Sequence, residues 1–332
     1  MKKCFLITLT AVFVMIPAVN VFGDVRTFPS VTGEMLDPLY WTKDAKDADD
    51  VLADADAIKH LNEALMKNPD CNMNDLAGEA DTFDGVATNL ARWKSALSDL
   101  SVFIDGKHYE ETGNVISGKF ALSILENLDD PEAKTDQEIR YGICVHRSDV
   151  RVYPTELIIA DDPGDYDFDN NQNSGIRVGE PVTVYAASSD GKYYYCHTDV
   201  VSGWIRSEDI ALCRDKDEWL KAWNFADDKV MVVTSSKLML EQSNTSPELS
   251  GLVLTMGTVI EKVDEYEYGN MITNRSAYYN YPVWIPVRND DGMYEKRKAL
   301  VSAHNSLNDG YLPLTKKNIV SLAYEKLGDT YG

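Results

Sequence analysis

The sequence predicts an α+β protein: a helical N-terminal region, two small strand-rich barrels joined by a helical linker, and a short C-terminal helix. Three observations carry this. Apolar residues recur at helical spacing as far as Leu128. From Ile139 the pattern changes to short β-branched and aromatic runs punctuated by Gly and Pro turns. That second pattern comes as two blocks, 139–213 and 229–313, each of a size that suits one small barrel.

Residues 1–23 read as a cleaved secretory signal peptide. Lys2 and Lys3 precede an apolar run from Phe5 to Val19, and Val21-Phe-Gly23 fits a small-residue cleavage site. The run is shorter than the roughly 20 residues a membrane span needs, although an uncleaved anchor is the alternative. Cys4 lies ahead of the run, which argues against a lipid anchor. The protein is therefore expected to be secreted or to sit in the periplasm or cell envelope, with no membrane span after cleavage.

The helical region, 24–138, follows. Val51, Ala55, Ile58, Leu61 and Leu65 mark one apolar face, preceded by Asp47, Asp49 and Asp50 and ended by Asn68-Pro69. Leu90, Trp93, Leu97 and Leu100 give a second stripe. Phe120, Ile124 and Leu128 give a third, stopped by Asp130-Pro131. All three read as core and carry no chemistry.

The strands of the first block are Ile143–Val145, Val150–Tyr153, Pro181–Tyr185, Tyr193–His197 and Gly203–Ile205. A helical linker, 214–228, holds Trp219, Leu220 and Trp223 on one side. Val230–Val233, Leu238–Leu240, Thr258–Ile260 and Val283–Ile285 are the strands of the second block, and Asp290-Asp-Gly292 is a hairpin turn. In the last segment, 314–332, Thr315 is the N-cap of a helix that stops at Gly328.

Composition narrows the partners. A length of 332 residues with 44% hydrophobic and 26% charged content suits two or three folded domains. Net charge is −22, or −24 without Lys2 and Lys3. So acidic a surface repels phosphates, and no basic stripe with interleaved aromatics offsets it, so no nucleic-acid partner is expected. A partner must be met locally or be cationic.

Four cysteines follow the signal: Cys71, Cys144, Cys196 and Cys213. Disulfides and buried thiols both fit. Cys196 and His197 are strand neighbours on opposite faces and cannot form a dyad. Cys144 and His146 would share a face, but no further ligands stand at useful spacing, so they read as a barrel wall. Asp165-Tyr-Asp-Phe-Asp169 with Asn171 imitates a calcium loop, then fails at Asn170 in place of Gly and Ile176 in place of Glu. No metal and no cofactor is expected. Paired-carboxylate glycosidase chemistry is not singled out by any spacing.

Four ordered regions carry a resemblance. His146-Arg-Ser-Asp-Val-Arg-Val-Tyr-Pro-Thr155, Asp167-Phe-Asp169, Gln172, Gly179-Glu-Pro-Val182 and Ser202-Gly-Trp-Ile205 resemble the first bacterial SH3-type barrel found ahead of NlpC-type cell-wall cysteine peptidases. Leu254-Thr-Met-Gly-Thr258 is similar to part of their second barrel. Asp37-Pro-Leu-Tyr-Trp41 with Asp49-Asp-Val-Leu52 looks like their helical N-terminal domain. Leu327-Gly-Asp-Thr-Tyr-Gly332 resembles the lead-in to the catalytic Cys. Members of this family cleave peptidoglycan stem peptides between D-glutamate and a diamino acid.

The resemblance implies the scaffold and substrate-positioning part of such an endopeptidase, ending just before the nucleophile and inactive alone. No catalytic residue is expected within these residues. Stem peptides would be the partner. Asp165 or Asp167, in the long excursion between early strands of the first barrel, would pair with a ligand ammonium, with Tyr153 or Tyr166 packed beside it. The alternative is a secreted wall- or peptide-binding protein that cuts nothing.

Overall fold

A computed structural model describes residues 27–68, 71, 73–82, 84, 108–128, 138–268, 271–272, 274–304 and 307–329. The signal-like residues 1–23, the stripe from Leu90 to Leu100 and the closing Tyr331-Gly332 lie outside the described residues.

The N-terminal part begins with two 3-10 turns, Gly33–Leu36 and Pro38–Trp41, before strand β1 (Val51–Ala53). Helix α1 (Ala55–Met66) starts where the Asp54 carboxylate accepts from the Ala57 N–H at 2.8 Å. Val51 is thus strand rather than helix, and the expected core face differs too. No residue of α1 is buried, and Leu61 is 58% exposed. Helix α2 (Leu76–Thr82) and helix α3 (Gly118–Asn127) do pack on the first barrel. Ile124 and Leu128 of the third stripe join Tyr153, Ile159, Tyr193 and Trp204 in one apolar cluster.

The first barrel is a seven-stranded antiparallel sheet. Its strands are β2 (Arg140–Cys144), β3 (Ser148–Arg151), β4 (Gln172–Ile176), β5 (Pro181–Ala187), β6 (Tyr193–His197), β7 (Ser202–Arg206) and β8 (Ile210–Leu212). Their order is β4-β3-β7-β6-β5-β2-β8. The alternating inward residues, among them Cys144, Val150, Ile176, Val184, Cys196, Ile205 and Ile210, fill its core. Strand β4 has no apolar run to betray it; Gln172-Asn-Ser-Gly pairs with β3 through the backbone ladder and the Gln172 side chain.

Helix α4 (Lys216–Trp223) packs against β2. The Asp215 carboxylate accepts from Glu218 N–H at 2.8 Å, and Trp219, fully buried, donates from Nε1 to the Gly142 carbonyl at 3.1 Å. The sheet around Gly142 requires glycine, because a Cβ there would meet Ile210 Cγ2 at 2.5 Å and Val182 Cγ2 at 3.1 Å.

The second strand-rich unit holds β9 (Val230–Val233), β10 (Lys237–Met239), β11 (Val253–Thr255), β12 (Val259–Lys262), β13 (Met271–Ile272), β14 (Arg275–Ser276), β15 (Asn280–Arg288), β16 (Tyr294–Ser302) and β17 (Leu307–Asp309). Five of them form one sheet, β16-β15-β12-β9-β17. The long β15–β16 hairpin turns at Asp290-Asp-Gly292, with Gly292 at φ 82°. Val178 from the first barrel enters the core of this second unit, and Leu212 N–H donates to the Gly292 carbonyl at 2.9 Å, so the two are directly joined.

Strand β18 (Leu314–Thr315) and helix α5 (Lys316–Tyr324) return to the N-terminal turns. β18 pairs antiparallel with β1, and Lys317 N–H donates to the Ala48 carbonyl at 3.0 Å. Lys316 and Lys317 pair with Asp47 and Asp49, and Trp41 Nε1 meets the Tyr324 hydroxyl. Asp47 and Asp49 therefore serve α5, not the start of α1. Thr315 caps α5 through its hydroxyl, which accepts from Asn318 N–H at 3.1 Å.

Candidate functional site

The excursion 152–171 links β3 to β4, and its base is tied by buried polar groups. Arg151, 4% exposed at the end of β3, donates from Nη1 to Asp169 Oδ2 at 2.7 Å. Its Nε and Nη2 donate to the carbonyls of Thr155 and Leu157 at 3.2 and 3.0 Å. The other Asp169 oxygen accepts from the N–H groups of Ile159 and Asn171 at 2.9 and 2.8 Å. Asn171, fully buried, accepts from Tyr153 N–H and donates to the Thr155 and Leu157 carbonyls. Asp169 and Asn171 thus hold backbone in place, which leaves them no oxygen to spare for a cation.

This frame opens a cleft of about 700 Å³, lined among others by Asp149, Arg151, Glu156, Tyr166, Asp167 and Phe168. Its charge is unbalanced. Asp149, Glu156, Asp167 and Asp169 face Arg151, whose charge Asp169 already neutralises. Glu156 is positioned by the Tyr193 hydroxyl, which donates to it at 2.7 Å, and Asp149 accepts from Gln172 Nε2 at 3.1 Å.

The four residues singled out in the sequence divide. Tyr166 and Asp167 line the cleft, both exposed. Asp165 sits half-buried in the turn after Gly164, outside the lining. Tyr153 does not face the cleft; its ring is 0% exposed, packed in the apolar cluster with Ile159 and Trp204. Burial of that ring anchors the excursion, so Tyr153 is corrected from a ligand contact to a core residue. Asp149, Arg151 and Glu156 were not legible as site residues, because they come from a strand and a loop whose approach depends on the Arg151–Asp169 bond.

The barrel thiols are buried. All four described cysteines are free. Burial pushes the Cys144 thiol well up, and the Asp209 and Glu180 carboxylates add to the effect. Cys144 Sγ donates to the His146 carbonyl at 2.8 Å, while the His146 ring lies 3.3 Å from Asp209 Oδ1. Burial likewise pushes Cys196 up, and the neighbouring His197 pairs with Glu79 of α2 at 2.9 Å. Among the described residues, no group of three or more His, Cys, Asp or Glu side chains could hold a metal ion.

The first barrel contains a recognisable domain: residues 160–206 match an SH3 domain of the SH3b1 type. That stretch runs from the excursion through β7 and includes Tyr166 and Asp167. No curated protein matches the chain. Among solved structures it is similar to an NlpC/P60 endopeptidase from Photobacterium damselae subsp. piscicida, with a TM-score of 0.62 and 19% identity. The match covers 85% of this chain and 59% of that one, so this chain spans less than two thirds of its length. At such identity the likeness is one of fold. It agrees with the SH3-type and NlpC-related resemblance, and the mixed helix and strand content agrees with an α+β class.

Proposed function

We propose that these residues are the scaffold and substrate-positioning part of an exported peptidoglycan hydrolase, and that the cleft beside 152–171 holds the amine-bearing end of a stem peptide. The parent reaction would cleave the bond between D-glutamate and a diamino acid through a Cys thiolate polarised by His. Both catalytic groups would lie outside the residues described; the barrel thiols Cys144 and Cys196 are buried and pushed up by that burial, which does not suit a nucleophile. The helical segments brace the first barrel, and residues 24–138, 139–213 and 229–313 act as successive units of that scaffold.

One observation carries this reading: the cleft gathers Asp149, Glu156 and Asp167 beside an arginine that is already neutralised. Such a site suits an ammonium and repels an anion. Tyr166 and Phe168, 44% and 55% exposed, offer ring faces beside it.

Calorimetry with an amine-terminated muropeptide and its N-acetyl derivative tests the idea. The free amine is expected to bind about tenfold more tightly, and Asp167→Ala to remove most of that preference. Equal affinity for the two ligands, or an unchanged preference in the variant, would overturn the proposal.

A further inference from the structure

Residues 33–53 form an arm that meets the rest of the protein at β18 and α5. Val51 and Ala53 pair with Thr315 and Leu314, and Lys317 N–H donates to the Ala48 carbonyl at 3.0 Å. The Tyr324 hydroxyl donates to the Met35 carbonyl at 2.6 Å, and Trp41 Nε1 donates to the same carbonyl at 3.1 Å. Lys317 Nζ lies 3.1 Å from an Asp49 oxygen, and Lys316 Nζ donates to Asp47.

Apolar burial contributes little to this seam. No residue of the two 3-10 turns or of α5 is buried, and within 33–53 only Thr42 and Ala48 are. None of residues 33–53 belongs to the buried apolar clusters. The barrels have cores of their own, with Val182, Ile205, Val283 and Ile285 at 0% exposure. Parting the arm from α5 thus uncovers little apolar surface, and contacts of that kind open at far lower cost than a core.

Charge is what the two sides match. The arm holds six acids against Lys43 and Lys46, whereas 314–324 holds Lys316 and Lys317 and no acid. The four paired side chains stand in solvent, between 44% and 77% exposed. Lys316, by hydrogen bond and by charge, holds the Asp47 carboxyl below its ordinary 3.8. Exposed pairs of this kind are weakened by salt, while buried contacts are screened much less.

We infer that residues 33–53 are a charge-held strap, which opens and closes on α5 as one unit while both barrels stay folded, with Lys316 and Lys317 as its catch. Opening leaves 314–329 tied to the second unit by the link 310–313 and by Ser236 Oγ, which donates to Asp329 Oδ2 at 2.9 Å. Helix α5 then turns about these two points. Ionic strength sets the fraction of time for which it is held.

Hydrogen exchange read by mass spectrometry tests this on the whole chain, at about 0.1 M and about 1 M NaCl. Over that range the screening length falls from about 10 Å to about 3 Å. Amides of 48–53 and 314–318 are expected to exchange about tenfold faster at the higher salt, with β5 and β15 unchanged. Asp47→Lys should speed the same amides at low salt, and adding Lys316→Asp should restore their protection. No acceleration in salt overturns the inference, and so does no acceleration in Asp47→Lys. An arm that exchanges faster only together with β5 and β15 also overturns it, because opening would then be global unfolding. A double variant no better protected than Asp47→Lys rules out charge as the catch. The amides of β5 and β15 report, within the same measurement, whether each variant is folded.

Discussion

Arg151 and Asp169 face each other across the base of the excursion, 2.7 Å apart, with side chains 5% and 9% exposed. The pair lies at the junction between barrel and cleft. It converts a long acidic loop into a fixed wall.

Removing one partner should therefore be costly. Asp169→Ala leaves a buried guanidinium uncompensated and strips the acceptor from two backbone N–H groups. A loss of about 3–5 kcal/mol is expected by urea unfolding. A loss below about 1 kcal/mol, the range of an exposed pair, would contradict the role given to it.

Thiol reactivity offers a second check. Burial raises Cys144 and Cys196, and raises Cys213 to about 12. At about pH 8 the native chain should take iodoacetamide at the partly exposed Cys71, while the other three react only after unfolding. Mass spectrometry of labelled peptides reads the outcome; native labelling of Cys144 would contradict its burial in this barrel.

Acid should loosen the first barrel. Burial acts to raise the Asp209 carboxyl, but His146, Ser148 and Arg206 outweigh it and hold it below its ordinary 3.8. Glu79 is likewise held below 4.5 by His197 and Tyr185 against burial. For carboxylates with lowered folded values, the stabilisation is complete above the ordinary value and is lost as pH falls through the lowered one. Glu180, raised by burial, has the opposite sign: its contribution is present below 4.5 and fades as pH rises. The net expectation is a falling melting temperature below about pH 4, with a shallower fall in Asp209→Asn. Identical acid limbs in the two proteins would rule Asp209 out as a source.

Trp219 ties the linker helix to the barrel. Trp219→Phe removes the donor to the Gly142 carbonyl and leaves a gap in a fully buried position. A cost of about 2–3 kcal/mol by denaturant unfolding is expected. Recovery of stability in Trp219→Phe through repacking alone would show that the hydrogen bond matters little.

Periodicity revealed strands that bury apolar side chains, such as Pro181–Tyr185 within the observed Pro181–Ala187, and the stripe of Ile124 and Leu128. It missed β4, because Gln172-Asn-Ser-Gly carries no apolar alternation. It assigned Val51 to a helix because its partner Thr315 lies at the far end of the described chain, and spacing does not encode distant pairing. Asp169 and Asn171 resembled a failed cation loop; their actual partners are the Arg151 guanidinium and backbone groups mostly at the other end of the excursion. Tyr166 and Asp167 were legible as exposed excursion residues. Tyr153 was not separable from them until its ring was seen to be buried.

The pairing of Val51 with Thr315 also sets an order of events during synthesis. Residues 33–53 emerge early, yet their strand partner and the Tyr324 hydroxyl are made only after both barrels. Throughout translation that segment presents an unpaired edge and Trp41, which is 54% exposed even in the finished fold. The barrels can assemble from contacts close in sequence, whereas closure of this strand pair is the slowest loop to form. Nascent chains stalled before Thr315 should thus carry a proteolytically sensitive N-terminal arm on an otherwise folded body.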